Sequence, residues 1–303
     1  MTVKLSVCIV AYNRAALLDR SLATLAAQTR PPDELVISDD CSPDDTPAVA
    51  EKWRSAFPRF VYNRNPENLS MPGNLNVAIG LTTGTYVANL HDGDLYAPTL
   101  LEKWEAALDA HPSAGFVFCG IAGWHVEKDS DHGVILHDVA PLTPGRTFFE
   151  RYFLHRYASI VWGTVMARRA AYDVLLPFDP QFAFVSDVDM WMRMCARFDV
   201  AYVREPLITL DHTPSPWRAP GVFNWSSLET IRRMQLVNIQ RFFAEDVSRR
   251  ERELRRHARA VQAVWARRLL GRLWHRDWKG FFHGVDLARN LPAPLRWLGA
   301  ARG

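Results

Sequence analysis

The strongest constraint on this chain is a layout repeated through its first hundred residues: a short apolar run, a polar cluster, then an amphipathic stretch. Leu5–Ala11 is a continuous apolar run ending at Tyr12-Asn13-Arg14, the signature of a buried strand leading into a loop. Leu17, Leu18, Leu22 and Leu25 follow at helical spacing until Pro31-Pro32 stops the helix. Glu34–Ser38 runs into Asp39-Asp40, and Thr46 before Pro47 suits a helix start. Phe60–Asn63 is a third strand, Gly73–Leu81 a helix, and Tyr86–Leu90 a fourth strand ending at His91-Asp92-Gly93-Asp94. Strands alternating with helices at this pitch predict a mainly parallel α/β sheet.

Beyond it, the patterns predict helices over Leu100–Ala110, Phe148–His155, Arg168–Leu175 and Asp187–Phe198, with strand character over Phe116–Cys119 and Ala201–Leu210. After the Pro/Trp-rich stretch Pro214–Pro220 the chain turns to Arg-rich helices. Charge divides at the same place. Residues 1–222 carry 19 Lys/Arg against 26 Asp/Glu, whereas residues 223–303 carry 17 against 7. The split suggests an acidic body with a basic tail that meets something anionic, or a basic helical face packed on the body.

At 303 residues, 48% hydrophobic and 23% charged, the composition excludes disordered, collagen-like and coiled-coil classes. No run approaches the roughly 18 apolar residues of a membrane span. The N-terminus reads as a strand rather than a signal peptide. Cys8, Cys41, Cys119 and Cys195 stand singly, without a C-x-x-C pair, which argues against a zinc ribbon or disulfide framework. The expectation is a soluble, cytoplasmic protein.

In open parallel sheets, ligands bind beyond the carboxyl ends of strands. Tyr12-Asn13-Arg14, Asp39-Asp40 and His91-Asp92-Gly93-Asp94 all fall at such ends. None carries the G-x-G-x-x-G or G-x-x-x-x-G-K-[ST] pattern, so a dinucleotide site or P-loop is not expected. Asp92 and Asp94 flank a glycine and can reach a hard divalent cation, although an Asp-Gly turn accounts for the same residues. A carboxylate at Asp39-Asp40 suits acceptance of hydrogen bonds from a base and a ribose, or helix capping.

In their order and spacing these clusters resemble the family 2 glycosyltransferases, which have the GT-A fold. The matching residues are Ser6–Arg14, Leu35–Ser42, Asn76 eight residues before Gly84, Tyr86–Asp94 with Pro98, and Ser186-Asp187-Val188-Asp189-Met190-Trp191, covering roughly residues 4–212. The resemblance implies a mainly parallel central sheet flanked by helices in residues 1–222, with a nucleotide-binding half to about 98 and an acceptor half from about 99. A basic helical extension would occupy residues 223–303.

The resemblance also implies roles. Ala11, Tyr12 and Arg14 would form the nucleotide-cradling turn, with Asp40 on the uracil and Asp39 supporting it. Asn76 would line the donor pocket or serve the start of its helix. Asp92 and Asp94 would be the D-x-D element holding Mg²⁺ or Mn²⁺ against the donor diphosphate. Here His91 and Gly93 stand where the commoner pattern has acids, which leaves the choice of main ligand between Asp92 and Asp94 open. His212 would bind metal or diphosphate, or be an ordinary surface histidine.

Asp187 would be the catalytic base, since a carboxylate at a helix start can take the proton of an attacking hydroxyl if enclosure offsets the helix polarity. Asp189 would be structural. The implied activity is an inverting, metal-dependent transfer of a sugar from a nucleotide-diphosphate donor, UDP favoured. The acceptor would be a hydroxyl of a glycan or lipid-linked molecule, in cell-surface polysaccharide or glycolipid synthesis. Two other classes stay open. A sugar nucleotidyltransferase needs a Gly-rich basic loop that Tyr12-Asn13-Arg14 is not. A non-catalytic nucleotide-sugar-binding protein is suggested by the departures at His91 and Gly93.

In the tail, Leu270, Trp274, Trp278 and Phe282 recur every four residues, with Leu269 and Leu273 beside them and Arg267, Arg268, Arg272, Arg276 and Lys279 interleaved. Such a stripe either packs on a domain or lies in an anionic membrane interface, so residues 265–285 are a candidate peripheral contact with the inner face of a membrane. Nucleic acid is not an expected partner of so acidic a body.

Overall fold

The structure, a computed structural model, describes residues 4–124, 133–156, 158–210 and 225–289. It divides into two compact units, a sheet unit and a helical unit.

In the sheet unit the elements run β1 (Leu5–Ala11), α1 (Ala15–Ala26), β2 (Glu34–Asp39), α2 (Thr46–Trp53), β3 (Phe60–Arg64), α3 (Ser70–Leu81) and β4 (Tyr86–His91). Then come β5 (Leu95–Tyr96), α4 (Leu100–Ala110), β6 (Ala114–Trp124), β7 (Gly133–Ile135), β8 (Leu142–Thr143) and the single turn α5 (Gly145–Phe148). The unit ends with β9 (Val165–Arg168), α6 (Arg169–Leu175), α7 (Ser186–Cys195) and β10 (Asp199–Thr209). The main sheet path is β3-β2-β1-β4-β9-β6-β10-β5. The expected α/β architecture of a largely parallel sheet flanked by helices is present: β1 pairs in parallel with β2 and β4, β2 with β3, and β6 with β10.

β1 sits at the centre of its half because almost every residue in it is buried, as both-sided helical cover requires of a parallel strand. Leu18, Leu22 and Leu25 of α1 bury beside it, as their spacing predicts. A polar link crosses this core: Ser6 Oγ donates to Glu34 Oε2 at 2.5 Å and accepts from Gly84 N at 2.8 Å. A Cβ on Gly84 would lie 2.6 Å from that Oγ, so glycine is required there. Register then aligns the polar clusters. Ala11 lies opposite Asp39 and Val10 opposite His91, so three strand ends open onto one edge.

β9 was not expected. The apolar residues before Arg168 form a strand antiparallel to both β4 and β6, joining the two halves of the sheet. Four residues are too few to show a period of two, and the strand passes directly into α6. The helix expected over Phe148–His155 starts earlier and stops sooner, opening as α5 at Gly145 and closing with a wide turn over Phe149–Phe153. All four cysteines are free.

The helical unit holds α8 (Trp225–Phe242), α9 (Val247–Trp274) and α10 (Trp278–Arg289). Residues 154–156 group with it: His155 Nε2 is 2.9 Å from Glu253 Oε2, and Gln235 Nε2 donates to Arg156 O at 2.9 Å. Its core is Trp225, Leu228, Ala258, Val261, Trp265 and Leu269. Trp225 and Trp265 pack with ring centroids 5.0 Å apart, and their indole N–H groups donate to Gly280 O and Gly284 O on α10. A Cβ at Gly284 would stand 2.3 Å from the Trp225 ring, so a glycine admits α10 to this contact. Among the described residues no helix is long and apolar enough to cross a membrane.

Candidate active site

The first two strand ends are laced together by short polar links. Asp40 N donates to Ala11 O at 2.9 Å, and Asn13, in the left-handed region at φ 51°, donates its N–H to Ser42 Oγ at 3.0 Å. Asp44 accepts from Ala15 N at 2.8 Å and from the Thr46 hydroxyl at 2.6 Å, pinning the starts of α1 and α2 together. Tyr12 is left 48% exposed on this rim. Asp39 is wholly buried and accepts from Ser42 N (2.9 Å), Tyr62 OH (2.6 Å) and Arg64 Nη1 (3.0 Å). Asp40 Oδ1 accepts from Asn65 Nδ2 at 3.0 Å and Leu69 N at 2.8 Å. Asp39 therefore fixes the loop, and Asp40 is held in one orientation beside it.

The third strand end is the turn His91–Asp94. Gly93 adopts φ +105°, and a Cβ there would meet Arg14 Nη2 at 2.8 Å, so the guanidinium lies directly over the glycine. Arg14 Nη1 pairs with Asp92 Oδ1 at 2.8 Å. From beneath, Ser21 Oγ of α1 accepts from Gly93 N at 2.7 Å and donates to Asp94 O at 2.8 Å. Asp92 Oδ2 is buried with no hydrogen-bond partner among the described residues. Burial pushes the Asp92 carboxyl up to about 7, against the opposing charges of Arg14 and His91.

Asp187 approaches this turn from α7. A Cβ built on Gly163 would stand 2.5 Å from His91 Nε2 and 3.1 Å from Asp187 Oδ2, so both side chains converge on one bare backbone position. Asn89 Nδ2 of β4 holds Gly163 O at 2.7 Å, and β9, two residues on, fixes the approach. Burial raises the Asp187 carboxyl to about 6, offset by the Val188 N–H that donates to Oδ1 at 2.7 Å and by the charge of His91. His91 is itself raised from its ordinary value: burial opposes the imidazolium, but Asp94, Asp187 and Asp92 together outweigh it. Asp189 faces away, ion-paired with Arg193 at 2.8 Å, and Trp191 is buried against Phe116 and Phe178.

Ala11, Tyr12, Arg14, Asp39, Asp40, Asp92, Asp94 and Asp187 are thus brought to one edge. Asn76 is not among them: its amide donates to Phe178 O at 3.0 Å and accepts from Phe178 N at 2.7 Å, tying α3 to the segment before α7. His212 lies outside the described residues. Ser21, Asn89 and Gly163 carry no sequence signal of their own, because each acts through a partner far away in the chain.

A divalent cation fits this turn in one respect. A buried carboxylate oxygen without a donor, Asp92 Oδ2, beside a second buried carboxylate, Asp94, is a site for positive charge. Among the described residues no group of three or more His, Cys, Asp or Glu can by itself hold a metal ion. Oxygens of a bound ligand would have to complete the coordination, as is usual for Mg²⁺.

The sequence pattern of glycosyl transferase family 2 matches residues 6–175, which include both strand-end carboxylate clusters. The chain belongs to that family. It is 27% identical to EpsE of Bacillus subtilis (strain 168) over 193 residues, an alignment spanning 63% of this chain and 66% of EpsE. It is 33% identical over 92 residues, 30% of each chain, to the GalNAc(5)-diNAcBac-PP-undecaprenol beta-1,3-glucosyltransferase of Campylobacter jejuni. Its fold is similar to that of S. aureus TarS 1-349 in complex with UDP-GlcNAc (TM-score 0.64, 17% identity, 95% of this chain and 92% of that one). It is also similar to the mannosyltransferase PcManGT from Pyrobaculum calidifontis in complex with GDP-Man and Mn²⁺ (TM-score 0.59, 17% identity, 98% and 83%).

Proposed function

We propose that this chain transfers a sugar from a nucleotide-diphosphate donor to an acceptor hydroxyl with inversion, using Asp187 as the base. The observation that carries the reading is the convergence of Asp187 and the His91–Asp94 turn on Gly163, which sets a carboxylate with a raised pKa beside a two-carboxylate turn at the strand edge. A base near the operating pH, within reach of the donor's reacting end, is what direct displacement requires.

In this reading Tyr12 and Asp40 contact the nucleoside, and Asp40 is oriented for it by Asn65 and Leu69 N. Arg14 and the Asp92-Gly93-Asp94 backbone border the diphosphate. Mg²⁺ or Mn²⁺ held by Asp92 and Asp94 would neutralise charge on the leaving nucleotide. The acceptor hydroxyl attacks the anomeric carbon, the bond to the diphosphate oxygen breaks, and Asp187 takes the hydroxyl proton. The matched motifs supply one carboxylate for the basic role and none set apart as nucleophile, which favours single displacement over a covalent intermediate.

UDP is the favoured nucleotide, in keeping with the UDP-GlcNAc complex of the similar TarS fold; the GDP-Man complex of PcManGT makes GDP the natural comparison. The undecaprenol-linked substrate in the name of the Campylobacter relative supports a glycan or lipid-linked acceptor. Calorimetric titration of UDP, TDP and GDP with and without Mn²⁺ tests the donor site, repeated on the Asp92→Ala/Asp94→Ala variant. Metal-dependent binding of one nucleotide, lost in the variant, supports the reading. No binding under any condition overturns it. Binding without transfer to any acceptor would instead favour a non-catalytic nucleotide-sugar binder.

A further inference from the structure

α9 and α10 form a hairpin whose inner faces are already occupied. Trp265 and Leu269 of α9 are buried, and α10 closes over them through Gly280 and Gly284. The packing face is therefore accounted for, yet a second apolar set remains outside it. Leu270, Trp274, Trp278 and Phe282 are 66%, 85%, 56% and 60% exposed, and they bracket the turn that joins the two helices.

That turn is built rather than loose. His275 N donates to Gly271 O at 3.0 Å, Arg276 takes φ 55°, and Asp277 N donates to Arg272 O at 2.9 Å. Asp277 Oδ1 then accepts from Gly280 N at 2.9 Å, capping α10. Trp274 and Trp278 consequently stand on either side of a fixed tip. Residues 265–285 around it hold Arg267, Arg268, Arg272, Arg276 and Lys279 against the single acid Asp277, which Arg272 already pairs. Arg267, Arg276 and Lys279 are exposed beside the aromatic residues.

We propose that this hairpin tip docks on an anionic lipid bilayer, with Trp274, Trp278, Leu270 and Phe282 entering the headgroup–acyl boundary and Arg267, Arg276 and Lys279 meeting lipid phosphates. Tryptophan suits that boundary because its ring is apolar while its indole N–H wants a polar partner. A cationic rim around an apolar tip matches the negative cytoplasmic leaflet in charge as well as polarity. The opposite expectation, a stripe consumed in packing, applies to the neighbouring Leu269 and Trp265 and not to these four residues. This surface belongs to the helical unit and the proposed donor site to the sheet unit, and its test requires neither donor nor acceptor.

The test is co-sedimentation of the full chain with vesicles of phosphatidylcholine alone and of phosphatidylcholine mixed with phosphatidylglycerol, at low and high salt. Binding is expected to the anionic vesicles, weakened by salt, and reduced at least about tenfold in Trp274→Ser/Trp278→Ser and in Arg267→Glu/Arg276→Glu. Quenching of tryptophan fluorescence by bromine-labelled acyl chains should disappear in the first variant. Because these side chains lie outside the core, both variants should keep the parent's circular dichroism and melting temperature. Absence of binding to anionic vesicles, or equal binding by folded variants, overturns the proposal. So does concentration-dependent dimerisation that the tryptophan substitutions abolish, which would assign the tip to a second copy of the chain.

Discussion

Arg14 Nη1 lies 2.8 Å from Asp92 Oδ1, an ion pair joining the loop after β1 to the turn after β4. Its guanidinium is the main opposing influence on a carboxyl that burial has raised to about 7. Replacing it by Arg14→Met therefore drives Asp92 further up, so that near neutral pH the carboxyl is mostly protonated and a poorer cation ligand. Mn²⁺ affinity, measured by electron paramagnetic resonance across pH, should weaken near neutrality and recover as pH rises. An affinity unchanged by the substitution at every pH would show that the pair does not govern the site.

The Asp187 carboxyl, raised to about 6, must be ionised to accept a proton. The transfer rate should thus fall as pH drops through about 6, approaching tenfold per unit below it. Asp187→Asn should lower kcat by about 10²–10⁴ while leaving nucleotide affinity near that of the parent. A pH profile that is flat across this range, or an active Asn variant, would remove Asp187 from the basic role.

Gly163→Ala places a methyl 2.5 Å from His91 Nε2 and 3.1 Å from Asp187 Oδ2. The His91 ring must move aside and Asp187 must give by a few tenths of an ångström, a smaller displacement than the ~1 Å that costs about 10²-fold in rate, so a loss below that figure is expected. The expected result is a loss of kcat far exceeding any change in donor affinity, with the melting temperature close to the parent's. Steady-state kinetics beside a thermal melt decides it, and an unaffected kcat would mean the two side chains need not be so closely placed.

In the helical unit, His257 is buried, stacked 5.9 Å from His155. Burial, with the charges of His155 and Arg232, pushes its pKa down to about 3 from an ordinary 6.5. Between those values the unfolded chain binds a proton that the folded chain excludes. Stability is therefore full above about 6.5 and declines on acidification, by up to about 1.4 kcal/mol per pH unit. Urea unfolding at stepped pH values should show this slope for the parent and a shallower one for His257→Leu. Equal slopes would assign the acid sensitivity elsewhere.

Much of the sheet is legible in the sequence because β1, β2 and β4 are buried on both faces and end in charged clusters. Asp39-Asp40 and His91-Asp92-Gly93-Asp94 mark the site edge for the same reason: polar residues directly after an apolar run have to emerge where the strand does. β9 was not legible, since three apolar residues ahead of an arginine do not announce an antiparallel insertion between β4 and β6. Ser21 shows a different obstacle. A serine on the inner face of an amphipathic helix looks like a tolerated polar residue, and only the fold reveals that it holds Gly93 N and Asp94 O. Asn76 is the converse case, a residue whose motif position points to the donor pocket while its amide is bound to the Phe178 backbone.

The grip of Ser21 on both sides of the His91–Asp94 turn also bears on how such an enzyme changes its substrate. Arg14 before α1 holds the turn from above and Ser21 within α1 holds it from below, so loop, helix and turn form one welded wall. Substitutions that enlarge or reshape this wall would disturb all three attachments together. A change at any one of Arg14, Ser21 or Gly93 should therefore be felt at the other two, so this wall is expected to stay fixed however the sugar varies.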